Sequence, residues 1–206
     1  LGHAGASHDL TTAASPEAVG FDSARLKRRD DYMAEVVSSG RVAGMTTLLA
    51  RHGQIVGFKT YGKANLETDA PIKEDSIFAI ASMTKPVTGV AMMILYEEGK
   101  WRLDDPVTRY IPEFKNLKVV KSIAPNGTMV LEDAVRPPTM RELMSHTAGF
   151  GYGLFEEHPV DKMFRENKVL DLASRDQKAM VEQIASTALM FQPGTNLSYF
   201  IAVYLL

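Results

Sequence analysis

"IASMTKPVTGVAMMILYEEGK", residues 80–100, decides how the rest of the chain is read. Val87, Val90, Ala91, Met92, Ile94 and Leu95 surround a helix expected from about Met83 to Glu98, and a helix apolar all round is a buried one. Pro86 is tolerated only in a first turn, which sets the helix start near Ser82 and Met83, and Gly99 is a fitting stop. Ser82 and Lys85 then share one face, with β-carbons about 5–6 Å apart, so the amine can fold back to the hydroxyl. The helix N-terminus adds roughly half a positive charge and free N–H groups, both of which stabilise an oxyanion beside Ser82. Spacing alone is weak evidence, since about one such pair arises by chance in a chain of this length. The commonest meaning of such a pair is an N-capping serine with a solvent-facing lysine.

Upstream, "DSARLKRRDDYMAEVVSS" (22–39) is an amphipathic helix with Asp22 as N-cap and Gly40 as stop. "AGMTTLLARHGQIVGFKTYGKAN" (43–65) reads as a hairpin with His52 and Gly53 in its turn. "SIFAIAS" (76–82) is either a short strand or an extended approach to the next helix. Downstream, "APNGTMVLED" (124–133) is a small hairpin around Asn126-Gly127. Thr139 with Glu142 forms a capping-box pattern opening "MRELMSH", and Ser174 with Gln177 repeats it before "QKAMVEQIASTAL". Strands thus cluster before residue 82 and helices after it. Two or three strands with one helix make a poorly covered sheet, so the chain is expected to be the N-terminal part of a larger fold. The expected divisions are a flexible arm over 1–20, the start of a sheet domain over 21–80, and a mostly helical domain over 81–206.

Composition excludes several classes. Apolar residues make up 45% and charged residues 23% of 206, which are ordinary globular values. A net charge of -2 gives no bulk basicity for nucleic acid or an anionic membrane. The apolar run "VTGVAMMILY" falls short of the ~20 residues a bilayer span needs. Absence of cysteine removes disulfides, thiolate metal sites and cysteine nucleophiles together. The five histidines are scattered, with no metal-ligand spacing among them. No metal or cofactor is expected. The opening "LGHAGASHDLTTAASP" lacks an initiator Met and a signal pattern, and reads as a trimmed or processed start.

"SIFAIASMTKPVTGVAMMILYEEGKWRLDDPVTRYIPEF" (76–114) resembles the serine β-lactamase and penicillin-binding-protein superfamily. More narrowly it is similar to the class C β-lactamase-like esterases (family VIII carboxylesterases) and their D-aminopeptidase and acyltransferase relatives. The resemblance continues through "RPPTMRELMSHTAGFGYG" (136–153) and "FQPGTNLSYFIAVYLL" (191–206), in the family's order. It implies an α+β, β-lactamase-like fold: an antiparallel sheet flanked by helices, plus a mostly helical domain, with the active site between them. The C-terminal strands of that fold are expected to lie outside this chain. It further implies that Ser82 is the nucleophile, that Lys85 activates and orients it, and that Tyr199 is general base, then acid. The Ser82 backbone N–H would supply half of the oxyanion hole. The other half belongs to a strand with a Lys/His/Trp-x-Gly motif, and "FKTYGK" (58–63) lies in the wrong place to be it.

The pattern at the tyrosine is Tyr199-Phe200-Ile201, where β-lactamases usually show Tyr-x-Asn. That departure favours an esterase, and Phe200 is unexpected where a small residue is usual. In "GFGYG" (149–153) no strand precedes and no helix follows at once, so it is a loop rather than a dinucleotide fingerprint. Tyr152 or Phe155 beside it is a candidate lining of an acyl pocket. His146 reads as a loop histidine bonding backbone near the site, because Lys85 and Tyr199 already fill the proton-transfer roles. Asp104 and Asp105 read as turn caps before Pro106, and the 11 methionines as core filler. No Gly-x-Ser-x-Gly elbow is present.

The expected protein is a serine carboxylesterase (EC 3.1.1 type) cleaving short-chain esters through an acyl-serine intermediate. β-Lactam or D-amino-acid peptide hydrolysis and acyl transfer are rivals within that chemistry, and a non-catalytic binding relative is the rival outside it. Its partners are a small ester or amide substrate and the C-terminal half of the fold, with no nucleic acid and no membrane. A soluble protein of bacterial type is expected, its compartment unknown, cytoplasm and periplasm both remaining open.

Overall fold

The computed structural model describes residues 10–153, 158–169, 171, 176–200 and 205. They fall into two compact units, Leu1–Ala79 and Ile80–Leu206.

In the first unit, α1 (Ser23–Ser38) begins where Asp22 accepts the Arg25 N–H at 2.8 Å and ends before Gly40, whose φ is +75°. β2 (Gly44–Arg51) and β3 (Gln54–Asn65) pair antiparallel through the His52-Gly53 turn. Both turn residues have positive φ, as a two-residue hairpin of the primed type requires. β1 (Thr11–Thr12) pairs parallel with β3, and β4 (Ala70–Pro71) pairs antiparallel with it. The segment read as a loose arm is therefore tied to the sheet at Thr11–Thr12, and Val19 in a short 3-10 turn is buried. Asp30 of α1 accepts from Lys59 and Tyr61 of β3, which fixes the helix on the strand.

"SIFAIAS" holds no strand: residues 76–80 carry no regular element, and Ala81 and Ser82 already belong to a 3-10 turn (Ala81–Met83) that runs into α2 (Thr84–Glu97) of the second unit. The helix lies where the sequence puts it, but its burial does not. Only Met92 is buried, while Val87, Val90 and Ile94 stay 64, 62 and 53% exposed. Periodicity reports how much cover a helix needs, and the described residues supply it along one stripe, where the Trp101 indole donates to the Met92 carbonyl at 2.8 Å.

β5 (Lys118–Ile123) and β6 (Met129–Asp133) form the small hairpin, with Gly127 in its turn. Leu189 bridges to Val119 beside it. α3 (Met140–Met144) opens with the full Thr139–Glu142 capping box. α4 (Pro159–Glu166) starts from His158, whose ring nitrogen accepts the Val160 N–H. α5 (Gln177–Ala185) is capped by Asp176 rather than by Ser174, a correction with a simple cause. Both residues are good cap types, and the Asp176 carboxylate accepts the Ala179 N–H at 2.7 Å, three residues on. Ser174 lies outside the described residues. Phe114, Phe150, Phe164, Phe200, Leu143, Ile184 and Leu189 are fully buried and form the centre of this unit.

Candidate active site

Ala81 has φ +45°, a conformation a non-glycine residue rarely adopts and one that costs about 1–3 kcal/mol unless its surroundings impose it. It stands directly before Ser82, where the irregular stretch 76–80 gives way to the 3-10 turn. Ser82 is the middle residue of the 3-10 turn, within the first turn, where backbone N–H groups have no intrahelical acceptor. One turn on, Lys85 Nζ donates to Ser82 Oγ at 3.3 Å. The pairing expected from spacing is therefore a contact, with Ser82 exposed and Lys85 half-buried.

Tyr199 arrives from the far end of the described chain. Lys85 Nζ lies 4.5 Å from the centroid of its ring and 6.0 Å from that of Tyr152. Hydrogen bonding from Lys85, then from Ser82, holds the Tyr199 phenol below the ordinary tyrosine value. The three predicted groups are thus brought together, and the tyrosine is the one whose acidity is raised. A phenol biased toward phenolate beside an ammonium and a hydroxyl can take a proton from that hydroxyl and return it, without an imidazole.

Three backbone bonds stitch the segment carrying Tyr199 to the segment after α3. Met190 N–H donates to Gly149 O at 2.7 Å, Gly194 N–H to Thr147 O at 2.8 Å, and Ser198 N–H to His146 O at 2.9 Å. The approach at Gly149 is so close that a Cβ there would collide with the Phe191 carbonyl, and φ is +93°. Arg136 donates to both oxygens of the buried Glu142 at 2.8 and 2.6 Å and to Pro193 O at 3.2 Å, tying α3 to the same segment. Phe200 is fully buried, with ring centroids 5.1 Å from Phe150 and 5.5 Å from His146. Its bulk, unexpected from sequence, is the anchor that pins the tyrosine.

His146 lies against Tyr199 with ring centroids 4.7 Å apart, and its Nδ1 accepts the Phe200 N–H at 3.3 Å. Its bond is to backbone, as the sequence suggests. Burial, then the Lys85 charge, keeps its imidazole below the usual histidine value. Tyr152 meets Tyr199 edge-on at 5.6 Å, so it borders the same group. Its loop is held by the buried Asp161 carboxylate, which accepts the Tyr152 and Gly153 N–H groups at 2.7 and 2.8 Å. Phe155 and Ile201 lie outside the described residues. Asp105 accepts the Arg102 N–H and the Tyr110 hydroxyl, and Asp104 pairs with Arg141, so this doublet braces a turn. The roles of Asp161 and Gly149 leave no signal in the sequence, whereas Phe200 gives one by being too large for its place.

Among the described residues no group of three His, Asp or Glu could hold a metal ion, and no helix is long and apolar enough to cross a membrane.

The chain is 34% identical over 197 residues to esterase EstB of Burkholderia gladioli, covering 93% of this chain and 47% of that protein. It is 32% identical over 130 residues to acyltransferase calJ of Penicillium decumbens, covering 63% of this chain and 30% of that protein. The solved structure of EstCE1, a hydrolase with promiscuous acyltransferase activity, superposes with a TM-score of 0.70 at 27% identity, over 89% of this chain and 45% of that one. The chain spans about half the length of the curated relatives it matches. Its architecture is the β-lactamase-like fold. Residues 29–206 match the family described as Beta-lactamase, and the chain belongs to that family.

Proposed function

We propose that this chain carries the nucleophile, the lysine and the proton-transferring tyrosine of a serine carboxylesterase that cleaves short-chain carboxylic esters. The observation that carries the reading is Lys85, which reaches Ser82 Oγ at 3.3 Å and lies 4.5 Å from the ring of Tyr199, whose acidity it raises. Ser82 Oγ attacks the ester carbonyl while its proton passes to the Tyr199 phenolate. The Ser82 N–H, at the unbonded start of the helix, faces the charge that develops on the carbonyl oxygen. As the tetrahedral adduct collapses, the bond to the leaving alcohol breaks and Tyr199 returns the proton to it. Water then attacks the acyl-serine, gives its proton to Tyr199, and releases the acid as Ser82 Oγ is reprotonated. Lys85, as the ammonium, balances the phenolate in each step. Tyr152, edge-on to Tyr199, borders the reacting carbonyl.

Similarity to EstB supports the ester over the β-lactam, as does the absence of an asparagine two residues after Tyr199. The likeness to acyltransferase calJ makes an alcohol in place of water the natural alternative acceptor. The remainder of the full-length protein is proposed to cover the exposed face of α2 and to complete the oxyanion hole. The test compares p-nitrophenyl butyrate with nitrocefin on the full-length protein, together with fluorophosphonate labelling. Ester turnover with the higher kcat/KM and labelling abolished by Ser82→Ala are expected. Preferential nitrocefin turnover defeats the esterase reading, and labelling that survives Ser82→Ala defeats the assignment of the nucleophile.

A further inference from the structure

We propose that His146 is the positioning residue for Tyr199, gripping the backbone on both sides of it through an uncharged imidazole and its own carbonyl. The inference rests on the reading of Tyr199 as the proton-transfer group. Its carbonyl accepts the Ser198 N–H at 2.9 Å and its Nδ1 accepts the Phe200 N–H at 3.3 Å, so the residues before and after Tyr199 hang from one histidine. Between these two bonds the imidazole lies against the phenol ring at 4.7 Å and meets the buried Phe200 ring at nearly a right angle, 87°. Tyr199 itself is 37% exposed, with Lys85 and Tyr152 also against its ring.

The chemistry of the grip fixes the protonation state. A neutral imidazole has one donor and one acceptor nitrogen, and Nδ1 is here the acceptor, so the proton sits on Nε2. Protonation turns Nδ1 into a donor facing the Phe200 N–H donor, which breaks the bond. It also places a cation against Tyr199 and near Lys85. Among the described residues, Lys85 on α2 and the Tyr199 phenol are the charged and titratable groups facing this ring, and α3, which leads into His146, presents Glu142 to Arg136 instead. Burial and the Lys85 charge both favour the neutral form, which keeps the grip intact at neutral pH.

The backbone of His146 has φ +60°, a conformation in which His and Asn are enriched. Asparagine therefore fits this backbone, and its Oδ1 can stand where Nδ1 stands. In the full-length protein, with p-nitrophenyl butyrate as probe, His146→Ala is expected to lower kcat by about 10²-fold, the scale of a misplaced catalytic group, with KM changed far less. His146→Asn is expected to recover most of that loss. The pH profile separates positioning from mere support of the fold. In the wild type, log kcat/KM falls by one unit per pH unit as Tyr199 takes up its proton, then steepens toward two as His146 takes up another. His146→Asn holds the slope at one.

Unchanged kcat in His146→Ala overturns the proposal, as does a His146→Asn profile that still steepens. If His146→Ala does not fold, the Asn variant and its profile decide alone. Tyr199→Phe is the control: if it is inactive and His146→Ala is not impaired, only the positioning role falls. If Tyr199→Phe is fully active, the proton-transfer reading falls and the positioning role with it.

Discussion

Lys85 Nζ lies 4.5 Å from the centroid of the Tyr199 ring while donating to Ser82 Oγ at 3.3 Å, so one amine faces both groups between which the proposed mechanism moves a proton. Its interaction is the first cause of the lowered Tyr199 pKa. The active form under the proposed mechanism is the phenolate, and a depressed pKa extends that form to lower pH. Lys85→Met removes the cause, so the Tyr199 pKa rises toward its ordinary value and the rising limb of kcat/KM moves to higher pH. A pH–rate profile of Lys85→Met on p-nitrophenyl butyrate checks this. An unmoved limb shows that another group sets it.

Arg136 and Glu142 form a bidentate pair in which the carboxylate is buried and also accepts the Thr139 N–H at 2.9 Å. Hydrogen bonding from Arg136 is the main cause of the lowered Glu142 pKa, against a burial effect of opposite sign. A depressed carboxylate pKa contributes stability that is fully present above the unfolded value and is lost as pH falls through the folded one. Arg136→Ala is expected to destabilise by about 2 kcal/mol, below the 3–5 of a fully buried pair because Arg136 is 45% exposed. Urea midpoints of wild type and variant at pH 7 and near pH 3 measure it, and the difference narrows at the lower pH.

Gly194 sits against the same carboxylate. A Cβ there would stand 2.5 Å from Glu142 Oε1 and 3.1 Å from Arg136 Nη2, and φ is +83°. Gly194→Ala therefore meets both a backbone penalty of about 1–2 kcal/mol and a collision with the ion pair. The Gly194 N–H bond to Thr147 O lies in the strip that brings Tyr199 to Lys85. Lower kcat accompanying a lowered urea midpoint is the expected result, and a variant losing neither shows that this strip adjusts freely.

The elements legible in the sequence are those with a signal inside a few residues. Asp22 and Gly40 bracket α1, His52-Gly53 turns the first hairpin, and Thr139 with Glu142 opens α3. Ser82 and Lys85 were legible for the same reason, since one helical turn brings them into contact. The start of α4 was not, because histidine is an unusual N-cap, and the cap of α5 was misplaced where two cap-type residues compete. What remained hidden is long in sequence: Gly149 under Phe191, and His146 reaching 54 residues to Phe200. The exposure of α2 was hidden for another reason, since a sequence states which residues want cover and not where the cover is.

Phe200 joins both kinds of information. It stood out in the sequence for its size beside a tyrosine, and in the fold it is fully buried, its ring tilted against that of Phe150 at 5.1 Å, which in turn lies 5.1 Å from Phe114. Phe200→Ala is expected to destabilise by about 3–5 kcal/mol through lost burial and the cavity left behind. Phe200→Leu keeps most of the volume and is expected to cost less than about 1.5 kcal/mol. Leucine lacks the ring that meets His146, so Tyr199 loses part of its seat while the fold survives. A thermal midpoint near wild type together with a several-fold lower kcat in Phe200→Leu would separate anchoring from bulk stability. Equal kcat in the two proteins would show that volume alone, and not the aromatic contact with His146, holds Tyr199 in place.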